Sequence, residues 1–369
     1  MTRGIKPDIQ PDRLRKLLKE LVDIYSPSGK EKEILEYTHN YLEQHGLVVV
    51  KQVVDENRYN LLVLPEKEQE MMLCFVGHLD TVTAYDLDDY GFHKKGDDIF
   101  GLGTADMKAG CAAMIEAFTV LVEGSRALPP AGLALVIDEE EDNSGAKTLL
   151  KEYQFPWAII GEPTALAPCL GHYAYLEVLL RTQGLRAHSA VPEMGQNAIE
   201  NMLRLLLQFS EHLNSRKDGL VYNIRDMKGF PGGFVVPDVC ETWLDLHLPP
   251  GMKIDSLKKE LRQLIKVAKN QIPELDASLE FESTYHGYQV GSEEYLVTKL
   301  RRTYRKLSLP WEPREFRSHS DGNILWEAGI SPVILGPGTL AAAHAPNESV
   351  SFSQVVQAAQ IYLNLALAL

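Results

Sequence analysis

The stretch MMLCFVGHLD, residues 71–80, is an apolar run that ends in a histidine and an aspartate two positions apart. A short and almost wholly apolar run is typical of a strand that is buried on both faces of a sheet. Two more runs of this kind lie at 133–137 and 157–160, and an alanine-rich helical segment, 107–122, lies between the first two. This alternation of buried strands and helices predicts an α/β domain built on a central sheet.

Side chains that ligate metals follow each of these predicted strands. They are His78 and Asp80 after the first run, Glu139 and Glu140 after the second, Glu162 after the third, and His344 beyond a fourth run at 333–335. Ligands collect at the carboxyl ends of strands in open α/β sheets, so we expect these side chains to converge. Clustered carboxylates repel one another unless a cation is bound. Histidine and carboxylates without thiolates suit zinc, cobalt or manganese.

The glycine-containing loop GLGTAD, residues 101–106, precedes the predicted helix as a phosphate-binding loop would. Asp106 stands where the third glycine of such a loop belongs, and a carboxylate there repels phosphate, so we exclude a nucleotide site. Taken singly, the other motifs also have simpler interpretations as turns or solvated loops, and Glu141 fits that description. Their recurrence at successive strand ends favours one shared site.

The pattern changes after Gly171, where strands and helices follow in the order βαββαβ. The strands are predicted at 173–182, 220–226, 241–248 and 277–281, and the helices at 197–213 and 254–269. This order is the ferredoxin-like split pattern. We therefore predict a second domain at 173–283, inserted into a first domain made of 1–172 and 284–369. A helix at 295–307, a strand at 333–335 and a helix from 352 would complete the first domain.

Composition and net charge argue against several classes of protein function. The chain has 369 residues, of which 45% are hydrophobic and 24% charged, as in soluble globular proteins with more than one domain. The net charge of −14 argues against a nucleic-acid or anionic-membrane surface. No run approaches the roughly 20 apolar residues of a membrane helix, and the first ten residues lack the apolar core of a signal peptide. The four cysteines are far apart, so we expect neither disulfides nor thiolate metal sites, and a cytoplasmic location.

In this order, the motifs resemble those of the M20 family of metallopeptidases and deacylases, and the resemblance covers nearly the whole chain. The matching segments are GHLDTV at 77–82, GLGTADMKAG at 101–110, DEE at 138–140, GEPT at 161–164, AHSA at 187–190, GQNA at 195–198, and GPG at 336–338 ahead of His344. The resemblance implies a zinc-exopeptidase-like catalytic domain with a central mixed sheet. It also implies that the inserted ferredoxin-like domain acts as a lid and dimerisation domain.

The resemblance further implies two zinc ions per chain, with cobalt or manganese as alternatives. His78 and Glu162 would bind one ion, Glu140 and His344 the other, and Asp106 would bridge them. Asp80 would orient His78 and raise its basicity.

Two further roles are implied by the resemblance. Glu139 would be the general base. His188 would reach the partner subunit's site in a homodimer and stabilise the oxyanion.

The implied reaction is hydrolysis of an amide bond in an N-acyl amino acid or a short peptide. The turn SPSG at 26–29 and the segment LGPG at 335–338 favour a deacylase, and a di- or tripeptidase is the alternative. A non-catalytic binding or regulatory relative would have lost a ligand or the base, and this chain has lost neither.

The substrate pocket departs from the family pattern. Phe234 and His247 stand where relatives that bind a substrate carboxylate often carry Asn and Arg. We expect the segment 317–323 to line the pocket, with Arg317 either binding a carboxylate or forming a surface ion pair. Asp321 and Gly338 are the other predicted substrate-binding residues.

Overall fold

The computed structural model describes residues 8–66, 69–88, 90–124 and 128–369. The chain forms two compact units. The first contains the residues up to Leu170 together with Val290–Phe316 and Ser320–Leu369, and the second contains Gly171–Gln289 and Arg317–His319. Within the described ranges, no helix combines the length and the apolar character that a membrane crossing requires.

The first unit begins with two helices and five strands, and helices and strands alternate after them. In order, they are α1 (Pro11–Asp23), α2 (Lys32–Gln44), β1 (Val49–Val53), β2 (Tyr59–Val63), β3 (Leu73–His78), β4 (His93–Lys95), β5 (Asp98–Phe100), α3 (Lys108–Gly124), β6 (Ala131–Val136), α4 (Ser144–Glu152), β7 (Trp157–Ile160) and β8 (Cys169–His172). The second unit contributes β9 (Ala174–Gln183), α5 (Ala198–Ser215), β10 (Val221–Phe230), β11 (Val239–Leu248), α6 (Ile254–Gln271), β12 (Asp276–Tyr285) and β13 (Tyr288–Gln289). The first unit resumes with α7 (Tyr295–Lys306), β14 (Arg314–Phe316), α8 (Asp321–Glu327), β15 (Ser331–Ile334), β16 (Ser349–Ser351) and α9 (Phe352–Ala366).

The central sheet of the first unit is mixed, as predicted. Its strand order is β1-β2-β6-β3-β7-β15-β8, and β14 also pairs with β8. The β6, β3, β7 and β15 strands run parallel to one another, whereas β1, β2 and β8 pair antiparallel with their neighbours. Every residue of β3 and β6 is buried, because helices cover a parallel sheet on both faces. The carboxyl ends of the parallel strands therefore lie at the same edge of the sheet.

The second unit has the predicted βαββαβ order. Its four-stranded antiparallel sheet has the order β10-β11-β9-β12, so the two consecutive strands that join directly, β10 and β11, lie side by side. One face of this sheet packs against α5 and α6 through a core that includes Leu176, Leu205, Leu244 and Leu261. The edges are β10 and β12. Most of β10 is exposed, including Met227 and Phe230.

The structure adds short elements that periodicity did not predict. A three-stranded sheet has the order β16-β5-β4, and each of these strands has only three residues. A helix begins at Asp321, within the segment 317–323 that is predicted to line the substrate pocket. Ser320 caps that helix, since its Oγ accepts a hydrogen bond from the Gly322 N–H and its own N–H donates to the Asn323 side chain.

Candidate metal centre

The two buried strands at the middle of the central sheet supply the first pair of candidate ligands. His78 is the last residue of β3, and Glu162 follows the end of β7, which pairs in parallel with β3. Both side chains are buried, and the Nε2 atom of His78 lies 3.5 Å from Oε1 of Glu162. The sheet therefore brings together two residues that the sequence separates by a whole βαβαβ passage.

Asp106 lies between two imidazoles. Its Oδ1 is 3.2 Å from Nε2 of His78, and its Oδ2 is 3.4 Å from Nε2 of His344. Asp106 precedes α3 in the loop that the sequence analysis distinguished from a phosphate-binding loop, and the peptide bond between Asp106 and Met107 is cis. One carboxylate that presents each oxygen to a different histidine has the geometry of a bridging ligand.

The second pair of candidate ligands comes from two loops. Glu140 follows β6, and its Oε1 lies 3.1 Å from Nε2 of His344. Glu139 points towards the other histidine, with Oε2 3.8 Å from Nε2 of His78. His78 can therefore share a metal with Asp106 and Glu140 or with Glu139 and Glu162. The two adjacent glutamates therefore each lie beside a different histidine of the cluster.

Asp80 connects the two halves of this cluster. The Nδ1 atom of His78 lies 3.0 Å from the main-chain oxygen of Asp80 and 3.5 Å from its Oδ1, which leaves Nε2 facing the centre. Oδ2 of Asp80 accepts hydrogen bonds from Ser28 Oγ at 2.7 Å and from the Glu140 N–H at 3.1 Å. The carboxylate thus orients one candidate ligand and holds the main chain of another.

The buried carboxylates of the centre favour the binding of cations. Burial, together with the charge of Asp106, raises the pKa of Glu162 to about 8, and burial also raises the pKa values of Glu139 and Glu140. Hydrogen bonds to Asp106 and Glu140 raise the pKa of His344 to about 11. Within the described residues, the buried Oε1 atom of Glu162 has no hydrogen-bond partner. A bound cation would satisfy this orphaned oxygen and offset the carboxylate repulsion, so the donor set fits a metal site.

A polar network behind the centre holds the turn that presents Glu139. Arg58 donates to Asp138 Oδ1 at 2.9 Å, and Asp138 has a positive φ of 65°. The Nδ2 group of Asn143 lies 3.4 Å from the main-chain oxygen of Glu139 and donates to Oδ1 of Asp321 at 3.0 Å. Burial raises the pKa of Asp321 to about 6. Asp321 is therefore a buried partner of Asn143, and its predicted contact with substrate stays a prediction.

The other predicted site residues lie in different surroundings. Gly338 has a φ of 81°, its N–H donates to Gln354 Oε1 at 3.0 Å, and it packs against the loop that contains Ala105. Arg317 and His188 are exposed residues of the second unit. The Nδ1 atom of His188 accepts a hydrogen bond from the Ala190 N–H at 3.1 Å. Their predicted roles in substrate binding and oxyanion stabilisation stay predictions.

Sequence reasoning missed four residues that support the centre, namely Ser28, Arg58, Asn143 and Glu348. Each lies in a loop or near a strand, and the hydrogen bond that links it to the centre reaches a residue far away in the chain. Asn143 adopts a φ of 52°, a conformation that Asn tolerates better than most residues. Only the hydrogen bonds of the folded chain identify these four residues.

The comparisons with known proteins agree with this geometry. Residues 74–368 match the family model described as peptidase family M20/M25/M40. The chain belongs to this family. The M20 family consists of metal-dependent hydrolases, and the candidate ligands described above all lie within the matched residues or the matched motifs.

The M20 proteins that are similar to this chain include a deacetylase and peptidases. An acetylornithine deacetylase from Photorhabdus laumondii is 26% identical over 333 residues, which cover 85% of this chain and 84% of the relative. A tripeptidase structure from Staphylococcus aureus matches with a TM-score of 0.79 and 22% identity, covering 98% of this chain and 99% of that one. A dinuclear metal-binding peptidase of the M20 family from Bacillus subtilis matches with a TM-score of 0.70 and 11% identity, covering 96% and 97%. The two structures share the fold with this chain.

Proposed function

We propose that this M20 protein is a dinuclear zinc hydrolase that cleaves the amide bond of an N-acyl amino acid or a short peptide. The observation that carries the proposal is the position of Asp106, whose Oδ1 and Oδ2 lie 3.2 Å from His78 and 3.4 Å from His344. Two separate histidines that share one carboxylate define two adjacent ligand sets rather than one. Cobalt and manganese suit the same donors.

The ligand sets assign a role to each side chain. His78 and Glu162 would hold one ion, Glu140 and His344 would hold the other, and Asp106 would be shared between them. When bound, such ions lower the pKa of a water molecule and polarise the scissile carbonyl group.

Glu139 is the proposed general base. Its carboxylate takes a proton from the attacking water and delivers it to the nitrogen of the leaving amine. Burial raises the pKa of Glu139 well above its usual range, and a raised pKa makes its carboxylate a stronger proton acceptor. Asn143 supports this role because it holds the main chain at Glu139.

Two classes of substrate are candidates for this amide hydrolysis. We favour an N-acyl amino acid, in line with the turn at 26–29, the segment before His344, and the deacetylase relative. A di- or tripeptidase activity is the second candidate, favoured by the fold shared with the tripeptidase. Arg317, Asp321 and Gly338 stay the proposed substrate-binding residues. A non-catalytic role is disfavoured because the base and all five ligand positions are present.

We also propose that the second unit serves as a lid and dimerisation domain. Its edge strand β10 is ten residues long and exposes Met227 and Phe230, and α5 exposes Leu203 and Leu207. An unpaired edge flanked by apolar side chains is the kind of surface that a second copy covers by symmetric pairing. His188 would then act in the partner's site. We keep the expectation of a cytoplasmic enzyme.

A substrate panel tests the activity. The purified protein, loaded with zinc or with cobalt, is incubated with N-acetyl, N-succinyl and longer N-acyl amino acids and with di- and tripeptides, and the free amine is measured. Hydrolysis of the N-acyl series, absent in Glu139→Gln, supports the deacylase. Cleavage of peptides alone identifies the second candidate, and no hydrolysis of either series with both metals overturns the proposal.

A further inference from the structure

Glu348 is a buried carboxylate that binds the loop containing Asp106. Its Oε1 accepts hydrogen bonds from the N–H groups of Ala105 at 2.7 Å and Asp106 at 3.0 Å, and its Oε2 accepts one from Gly103 at 2.9 Å. Its main-chain oxygen also accepts from the Gly101 N–H at 3.2 Å. Only 3% of the residue is exposed. One side chain therefore accepts hydrogen bonds from three N–H groups of the loop, which a carboxylate does well because it offers only acceptors.

The same residue fixes the loop that contains His344. Glu348 lies four positions after His344, and its N–H donates to the main-chain oxygen of Ala345 at 3.0 Å, which closes the turn between them. His344 has a positive φ of 57°, and 48% of its side chain is exposed. Glu348 is thus bonded both to the loop of Asp106 and to the turn that follows His344.

The two proposed ion sites differ in how they are held. His78 ends a fully buried strand, and Glu162 follows a strand that is hydrogen-bonded to it, so the sheet itself fixes this pair. His344 and Asp106 lie on loops that are distant in sequence. The position of one relative to the other depends on bonds between these loops, and Glu348 supplies three of them through its side chain.

Resting on the proposed dinuclear function, we propose that Glu348 is a positioning residue for the ion held by Glu140 and His344. The carboxylate does not touch the ion. It holds the main chain of Asp106 at the distance from His344 that lets both side chains reach one cation. Removal of Glu348 should therefore weaken the second ion much more than the ion held by His78 and Glu162.

Glu116 offers a matched control. It is also a fully buried carboxylate, it accepts a hydrogen bond from the Gln10 N–H at 2.8 Å, and it pairs with Arg13 at 2.7 Å. None of these partners is a proposed ligand. A general effect of losing a buried carboxylate would appear in both Glu116→Gln and Glu348→Gln, whereas a positioning effect would appear in the latter alone.

The test is a cobalt titration of chelator-treated protein, followed by isothermal calorimetry and by the visible absorption of bound cobalt. Wild type and Glu116→Gln should bind two ions with the same affinities. Glu348→Ala should bind one ion as tightly as wild type and the second about 10- to 100-fold more weakly, the usual effect of removing a residue that supports ligands. Glu348→Gln should fall between them. Its amide oxygen can keep the two bonds at Oε1, while its amino group faces the Gly103 N–H.

The outcomes separate this inference from the proposed function. A folded Glu348→Ala that binds both ions like wild type overturns the inference and leaves the proposed function intact. If Glu348→Ala does not fold, the same comparison is made with Glu348→Gln, and binding of both ions as in wild type overturns the inference. Equal loss of the second ion in Glu348→Gln and Glu116→Gln also overturns it, because the effect would then be general instability. Wild-type protein that binds fewer than two ions overturns both proposals.

Discussion

The Nε2 atom of His344 lies 3.1 Å from Oε1 of Glu140, although 204 positions separate the two residues in the chain. This contact joins the turn after β6 to the loop after β15. Together with the carboxylate of Asp106, it raises the pKa of His344 to about 11. The two carboxylates therefore favour positive charge at the point where we place the second ion.

The first prediction is that each chain binds two divalent ions and that chelation abolishes hydrolysis. The two ligand sets have separate histidines, and the carboxylates need compensating charge. Elemental analysis of protein loaded with zinc should give two ions per chain, and re-addition of zinc after chelation should restore activity. A maximum of one ion per chain in the presence of excess zinc or manganese would contradict the bridging role of Asp106.

The second prediction separates the adjacent glutamates. Glu139→Gln should lower kcat by about 100-fold or more, since a general base typically contributes 10²–10⁴-fold, and it should keep both ions. Glu140→Gln should lose the ion that it shares with His344. Metal content and kcat are measured on the same preparations. Because Oε2 of Glu139 also lies 3.8 Å from His78, the reverse pattern would mean that the two roles are exchanged.

The third prediction is that catalysis needs two chains. In the proposed dimer, His188 donates to the oxyanion in the partner's site, a contact typically worth about 3–4 kcal/mol. Glu139→Gln and His188→Ala should each be nearly inactive. Mixed dimers formed by subunit exchange should recover activity, because one of their two sites has an intact base and an intact histidine. Verified heterodimers that stay inactive would show that His188 acts within its own chain or not at all.

The fourth prediction concerns the contact between α3 and the end of β7. A Cβ atom on Gly110 would lie 2.2 Å from the main-chain oxygen of Gly161, which directly precedes Glu162. Gly110→Ala should therefore destabilise the metal-free protein by about 1–3 kcal/mol, the usual cost of overpacking. The helix propensity of alanine, worth about 1 kcal/mol, offsets only part of this cost.

Denaturant unfolding measures this effect, and Gly232→Ala is its control because nothing lies within 4 Å of the added Cβ. Equal stability of the two variants would show that the close approach is not rigid. Reduced metal affinity in Gly110→Ala would indicate that the contact also sets the separation of Asp106 and Glu162.

The fifth prediction is a pH dependence of stability that arises from His172. This histidine is fully buried, its Nδ1 lies 2.8 Å from the main-chain oxygen of Tyr173, and burial lowers its pKa to about 3. The charges of His319 and His247 lower the pKa further. In the unfolded chain, the pKa is about 6.5, so the unfolded state takes up a proton below pH 6.5 that the folded state does not accept.

The contribution of neutral His172 to stability is therefore complete above pH 6.5 and decreases as the pH falls towards 3. Between pH 7.5 and 5.0, the free energy of unfolding of wild type should decrease by about 2 kcal/mol more than that of His172→Gln. Denaturation of both proteins at the two pH values checks this difference. Parallel pH profiles would contradict the buried, neutral state of His172.

Several features of the fold could be read directly from residue order. The runs at 71–76, 133–137 and 157–160 are too apolar for any place but a covered sheet, and they form β3, β6 and β7. The βαββαβ order of the second unit was also predicted, because long amphipathic elements such as α5 and α6 carry their periodicity along the chain. Short elements such as β4, β5 and β16 were missed, since three residues carry no measurable period and depend on the strand that they meet.

The sequence by itself determined which residue types follow the buried strands, and therefore which side chains were candidate metal ligands. It did so because the end of a buried strand is visible as the end of an apolar run. Only the tertiary structure decided that the two oxygens of Asp106 face His78 and His344, and that Glu348 binds the loop that contains Asp106. These relationships join loops that are far apart in the chain. The hydrogen bonds that fix them depend on distances of a few tenths of an ångström, which no local pattern of residues encodes.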